Sequence, residues 1–317
     1  MLCARCLILS SCVTVLFSGL TSVSAAEAVG GKDKGKDGGD RPIFADTKVG
    51  TVPVPAVRWL SNYGKAITAA EHGNKMLLIY FCDSSADSPC QRFKKETLDD
   101  PQVRRKLQRY VCVRLPLDAK ATFQGKPLVL LEHEGYREML GRPGIAIVDF
   151  RSADAKLRGT VVSEFPITEK LWYTAEQMAV ILTLPPCTLT QRTLIYAVRT
   201  HPDHPESTDG EPNPMLEEEA QSHSQYQADI RVQGHHAWGS RFARILSRLP
   251  GVGAPREVCA ESWGGQHLVE AAIECVRCWR TSSGHWSAVR ARTRFFGYDM
   301  KRGDNGVWYA TGIVDAR

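Results

Sequence analysis

A chain of 317 residues with 43% hydrophobic and 24% charged residues has ordinary globular composition. That excludes a wholly disordered, collagen-like or polytopic membrane protein. Lys+Arg 40 against Asp+Glu 35 leave a net +5, too thin over this length to argue for nucleic acid. The length suggests two domains. Three of ten cysteines fall in the first twelve residues, whereas seven of nine histidines and five of seven tryptophans follow residue 187.

Residues 1–26 read as a secretory signal. Arg5 is the sole charge, an apolar stretch rich in small residues runs from Cys6 to Leu20, and Val23-Ser24-Ala25 fits a small-x-small cleavage site. The protein is therefore expected to be exported, periplasmic or extracellular, with no membrane span after cleavage. An uncleaved N-terminal membrane anchor is the alternative. Cleavage leaves seven cysteines, an odd number, in an oxidising compartment. Residues 27–55, with paired glycines, Lys32-Asp33-Lys34 and a Pro/Val stretch, read as a flexible linker.

In the next segment, 56–185, Trp59, Tyr63, Ala66, Ile67 and Ala70 recur at helical spacing, and Gly73-Asn74 ends the helix. Met76 to Phe81 is an unbroken apolar run suited to a strand buried on both faces. A charged helix is expected around Gln91–Thr97, and Asp100-Pro101 starts another. Tyr110–Leu117, Ile145–Phe150 and Gly159–Ser163 read as strands and Ala175–Leu184 as a helix. The order gives a parallel crossover followed by a hairpin.

Lys75 to Phe81, Cys90 before Phe93, Val111 to Asp118, and Arg142-Pro143-Gly144 leading into Ile145–Asp149 together resemble the thioredoxin-like family. The resemblance implies an α/β domain with Pro143 as a cis-proline. It also exposes a departure. Cys90 takes the place of the second redox cysteine and Asp87 that of the first. An aspartate cannot attack a disulfide, so the Cys-x-x-Cys chemistry is lost. Cys82 lies eight residues earlier and is a candidate partner for Cys90. Cys90 is structural, a single reactive thiol, or half of an exchangeable pair.

From 186 to 317 the pattern is helices before strands: Thr190–Arg199, Met215–Asp229, Trp238–Leu249 and Gln266–Arg280, then a hairpin of Phe295–Lys301 and Val307–Ile313 around Asp304-Asn305-Gly306. Cys275-Val276-Arg277-Cys278 falls inside a helix, where a structural role suits it better than redox chemistry, and Cys278 could reach Cys259.

Glu219 to Ser224 followed by His235-His236, then Ala260-Glu261-Ser262-Trp263, Ala272 to Trp279, Ser282-Ser283-Gly284-His285-Trp286, and Phe296-Gly297-Tyr298 with Trp308 to Thr311 resemble the CAP superfamily (cysteine-rich secretory proteins, antigen 5, pathogenesis-related proteins) in its bacterial form. The resemblance implies an α+β domain, an α-β-α sandwich with a surface cleft. It assigns to that cleft His236 (with His235 as alternate), Glu261 (with Glu257 as alternate), Ser282 where an acid is usual, and His285. Two imidazoles and a carboxylate in one cleft suit a divalent metal such as Zn²⁺, with His236 and His285 as ligands, or acid/base work. The missing second carboxylate weakens both.

The leading expectation is an exported, non-catalytic protein. It would bind an extracellular or envelope ligand through the CAP-like cleft, beside an inactive thioredoxin-like scaffold. A metal-dependent hydrolase at the His/Glu cleft and a thiol–disulfide protein using Cys90 or Cys275/Cys278 are the alternatives.

Overall fold

A computed structural model describes residues 54–83, 89–123, 125–249, 251 and 253–315. The expected signal, almost all of the expected linker, and Asp87 with Ser88 lie outside the described residues.

The first sheet holds five strands in the order β1-β3-β2-β6-β7. β1 (Trp59–Leu60) leads to α1 (Tyr63–His72), whose Asn62 side chain accepts from Lys65 N at 2.9 Å. This cap starts the helix at Tyr63, so Trp59, expected on the helix, sits on an edge strand parallel to β3 (Val111–Leu115). β2 (Leu77–Phe81) is buried throughout, between parallel β3 and antiparallel β6 (Gly144–Asp149). Leu78 and Tyr80 enter one apolar cluster, while Leu77, Ile79 and Phe81 enter the cluster on the opposite face. A central strand covered on both faces needs such an unbroken run.

α2 (Pro89–Phe93) continues into a π-helical turn at Lys94–Leu98, and α3 (Pro101–Leu107) is capped by Asp100 Oδ1, which accepts from Gln102 N and Val103 N. β4 (Lys120–Phe123) and β5 (Lys126–Val129) form a separate two-stranded hairpin. β6 and β7 (Thr160–Pro166) make the expected hairpin, and a Thr174/Gln177 capping box starts α4 (Ala175–Ile181).

The expected cis-proline is corrected: the described peptide bonds are all trans, that before Pro143 included. The chain reverses by other means. Leu140 (φ 58°) and Gly141 (φ 63°) are left-handed, and Gly144 (φ 149°) opens β6 where a Cβ would stand 2.3 Å from Phe165 O. Only glycine tolerates that approach. Pro143 O then accepts from Ile167 N at 2.7 Å.

α5 (Leu189–Arg199), β8 (Glu211–Pro212), α6 (Pro214–Ile230), α7 (Trp238–Arg248), β9 (Pro255–Glu261), α8 (Leu268–Thr281), α9 (Ser283–Arg290), β10 (Phe295–Arg302) and β11 (Trp308–Asp315) complete the chain. β9 and α9 were not anticipated. The second sheet has the order β8-β10-β11-β9, and Gly306 (φ 76°) turns the β10–β11 hairpin. Strand alternation gives it two covered faces. Val258, Ala260, Tyr298, Met300 and Ala310 join the cluster that holds α5 and α8, while Ile313 packs with Leu216 and Ala220 of α6 and Ile245 of α7. A Cβ at Gly297 would lie 2.2 Å from the α6 backbone, so glycine permits this close approach.

One apolar cluster extends from β2 to β11 through α4 and α5. Fully buried Arg192 of α5 donates to Ser163 Oγ (2.7 Å), Leu184 O (2.9 Å) and Pro185 O (2.6 Å). Glu138 Oε2 accepts from Leu268 N at the start of α8 (3.1 Å). These bonds satisfy polar groups that the shared core would otherwise strand.

Candidate functional site

β9 builds the site by its period of two. Val258 and Ala260 face the core, so Glu257 and Cys259 face α6 and α7. α6 ends at left-handed Arg231 (φ 58°) and α7 begins at left-handed Ala237 (φ 53°). The short loop between them sends the two neighbouring histidines to different partners. His235 Nδ1 lies 2.9 Å from Glu257 Oε1, and His235 Nε2 lies 3.0 Å from His285 Nε2. His236 instead approaches Val232 O through Nε2 (3.2 Å).

The alternates His235 and Glu257 thus meet His285, whereas His236 and Glu261 do not join them. Glu261 stands at the exposed end of β9 near Cys278, four residues and about 13 Å along the strand from Glu257. Ser282 caps α9: its Oγ accepts from His285 N at 3.5 Å, which fixes the start of the helix that carries His285.

Glu257 is the buried anchor. Its side chain is 1% exposed against 43% for His235, so the chain of groups runs from the interior to solvent. Arg241 Nε and Nη2 both donate to Glu257 Oε2, at 3.0 and 2.6 Å. Burial alone would push the Glu257 carboxyl up. The hydrogen bond from His235 and the charge of Arg241 outweigh it and hold the group below the usual carboxylate range. A carboxylate there accepts the Nδ1–H of His235, which leaves the Nε2 lone pair of His235 facing outward. His285 Nε2 must then donate across the 3.0 Å pair. Burial, and next the neighbouring His235, push His285 below the usual imidazole pKa.

Behind this pair lies a group that sequence reasoning did not assign to a site. His223 of α6 is buried, with Nδ1 3.2 Å from Thr311 Oγ1, 3.6 Å from Glu257 Oε2 and 3.8 Å from Cys259 Sγ. Burial pushes its pKa down to about 4. It falls within the expected helix Met215–Asp229, and burial of a histidine by itself signals packing. Arg241 carried no sequence signal at all, because its partner is sixteen residues away on a strand not anticipated.

The sulfurs of the first sheet are also neighbours. Cys82 Sγ accepts from Arg114 Nη2 (3.0 Å) and donates to Asp83 O (3.0 Å), while Asp83 N donates to Cys90 Sγ (3.2 Å). Burial pushes the Cys82 thiol up, opposed by Arg114. Cys275 is wholly buried, and Cys278 packs against Glu274 (3.7 Å). Cys259 lies against His223 and His235, and all seven described cysteines are unbridged.

Searches against known proteins bear on the first half. No curated protein matches the chain. A solved structure, that of an outer surface protein from Borrelia burgdorferi, aligns at 19% identity over 34% of this chain and 77% of that one, with a TM-score of 0.29, too low to carry an argument. Residues 58–148 match the family model described as thioredoxin-like. Residues 58–148, which carry β1 to β6, therefore form a thioredoxin-like α/β domain.

Proposed function

We propose that the protein is an exported binding protein whose working cleft is the His235–His285 pair backed by Glu257. In this reading a thioredoxin-like scaffold that has lost its Cys-x-x-Cys pair supports a second, CAP-like domain from about residue 186. Export rests on residues 1–26. The helix–sheet–helix layering of the second half, and the meeting of the alternate residues His235 and Glu257 with His285, support the CAP resemblance.

The observation that carries the reading is the 3.0 Å approach of two solvent-facing imidazole nitrogens, one already oriented by a buried carboxylate. Such a donor pair suits Zn²⁺. A tetrahedral ion with Zn–N near 2.0–2.1 Å sets two nitrogens roughly 3.3 Å apart, so a small opening admits it. His235 and His285 would hold the ion, His285 with its hydrogen moved from Nε2 to Nδ1, and the ion would supply a Lewis-acidic anchor for a ligand donor. Glu257 would act behind His235 as the orienting carboxylate. Binding is favoured over hydrolysis because, among the described residues, Glu257 is taken by His235 and Arg241, and Glu261 stands apart. Calorimetric titration of the full chain with Zn²⁺ tests this. Saturable heat in the wild type that disappears in His285→Ala is expected, and equal heats in both would sink it.

A second reading has its own observation: the Asp83 backbone joins the two sulfurs, accepting from Cys82 Sγ and donating to Cys90 Sγ. In the presence of a disulfide oxidant these two would form a bridge outside the Cys-x-x-Cys arrangement. Peptide mapping of the non-reduced protein should find them joined. Recovery of both as alkylated thiols after that treatment removes the reading.

A further inference from the structure

A cavity of about 220 Å³ opens between α6 and α7, lined by Ser222, His223, Tyr226, His236, Ser240 and Arg241 among others. His235, Glu257 and His285 do not line it, and no acidic side chain does. His223 is 2% exposed, and its Nε2 has no hydrogen-bond partner. A buried donor or acceptor left in this state is destabilising, and a ligand that supplies the partner relieves it.

The proton on His223 can be placed. Gly234 N donates to Gln227 Oε1 (3.0 Å), which fixes that amide and turns its Nε2 toward Thr311 Oγ1 (2.9 Å) and His223 Nδ1 (3.4 Å). An amide N–H aimed at Nδ1 makes Nδ1 the acceptor. In the neutral ring Nε2 then carries the hydrogen. The atom without a partner is a donor, on the ring edge turned away from Thr311, in a ring that lines the cavity. With Nδ1 held as an acceptor the hydrogen stays on Nε2, and it calls for an acceptor.

A second feature converges on the same space. α7 is an eleven-residue helix that no side chain caps, and Ala237 and Ser240 of its first turn line the cavity. Trp238 N and Ser240 N bond to His235 O and Ala237 O, so this helix start offers its dipole and the Ser240 hydroxyl, and both favour a negatively charged acceptor. The arginines add less than their number suggests, because Arg241 is paired with Glu257 and Arg244 with Glu219. The pull comes from the histidine N–H and the helix terminus.

We infer that this cavity is a binding site for a small oxyanion, a carboxylate or phosphate group, held by His223 Nε2–H and the first turn of α7. The inference stands independently of whether His235 and His285 take a metal.

The test is ¹H–¹⁵N NMR of the His223 ring in the full chain, titrated separately with inorganic phosphate and with acetate against a chloride control of equal ionic strength. A saturable shift of Nε2 is expected with at least one of them, at millimolar affinity or better. A response to phosphate alone names a phosphate ligand, and a response to acetate names a carboxylate. Ser240→Asp, an exposed position where an acid also suits the helix start, should keep the fold and weaken binding about tenfold or more. No shift beyond chloride with either anion would mean that water alone satisfies the donor, and would overturn the inference. Undiminished binding in Ser240→Asp would overturn it as well.

Discussion

Glu257 Oε1 lies 2.9 Å from His235 Nδ1, and this one bond decides which nitrogen of His235 faces solvent. A carboxylate accepts only, so Nδ1 keeps the hydrogen and Nε2 presents its lone pair to His285. Glu257→Gln preserves the shape but allows the amide to donate, and the imposed tautomer is lost. Zn²⁺ affinity should fall about 10–100-fold, read by calorimetry, with far-ultraviolet circular dichroism confirming the fold. Unchanged affinity would show that Glu257 does not orient His235.

Arg241 holds the other oxygen of the same carboxylate. Both partners are buried, with Glu257 1% and Arg241 9% exposed at the side chain. Removing one partner of a buried pair leaves an uncompensated charge, typically at a cost of about 3–5 kcal/mol. Arg241→Met should therefore lower stability by about 3 kcal/mol in urea unfolding, and the double variant with Glu257→Gln should recover part of that loss. A single-variant loss below about 1 kcal/mol would mean that His235 suffices to hold the carboxylate.

The sequence showed one level of this site and hid another. The β2 run, the Asp100-Pro101 helix start and the β10–β11 hairpin around Gly306 were legible because each is written in adjacent residues: an apolar run, a cap, a turn. His285 was legible through its local Trp-x-x-Ser-x-Gly-His context. The choice between His235 and His236 was not. It depends on left-handed Arg231 and Ala237, two residue types that carry no preference for that conformation. Glu257 over Glu261 depends on β9, whose near-continuous burial blurs the alternation by which a strand is recognised. Trans Pro143 depends on how Leu140, Gly141 and Gly144 share the reversal.

His223 makes stability sensitive to acid. Its folded pKa is pushed down to about 4 by burial, while an unfolded histidine titrates near 6.5. Between those values the unfolded chain binds a proton that the folded chain refuses. The stabilisation is complete above pH 6.5 and is lost as pH falls toward 4, by about 3 kcal/mol at most. Glu257, held below its ordinary value, adds a loss in the same direction below about pH 4.5. Urea unfolding at pH 7 and at pH 5 should show the wild type weakening more than His223→Gln. Parallel losses in the two proteins would remove His223 as the source.

Glu164 carries the opposite sign. It lies in the interior of β7, and its Oε2 has no hydrogen-bond partner. Burial, and then the nearby Glu138, push its pKa up to about 8. An unfolded glutamate titrates near 4.3, so across the interval between these values the folded chain holds a proton that the unfolded chain has released. The contribution is fully present below the unfolded value and is lost as pH rises through about 8. Glutamine imitates the protonated acid and does not titrate. Glu164→Gln should therefore match the wild type near pH 4 and exceed its melting temperature by roughly 5 °C or more at pH 9. The alkaline loss is also expected where Glu138 Oε2 accepts from Leu268 N, because a second charge beside Glu138 weakens the hold on the first turn of α8. Hydrogen exchange at Leu268 should accelerate between pH 7 and 9 beyond the ordinary base-catalysed rise in the wild type, and should not do so in Glu164→Gln. Identical melting profiles for the two proteins across this range would place the Glu164 proton elsewhere.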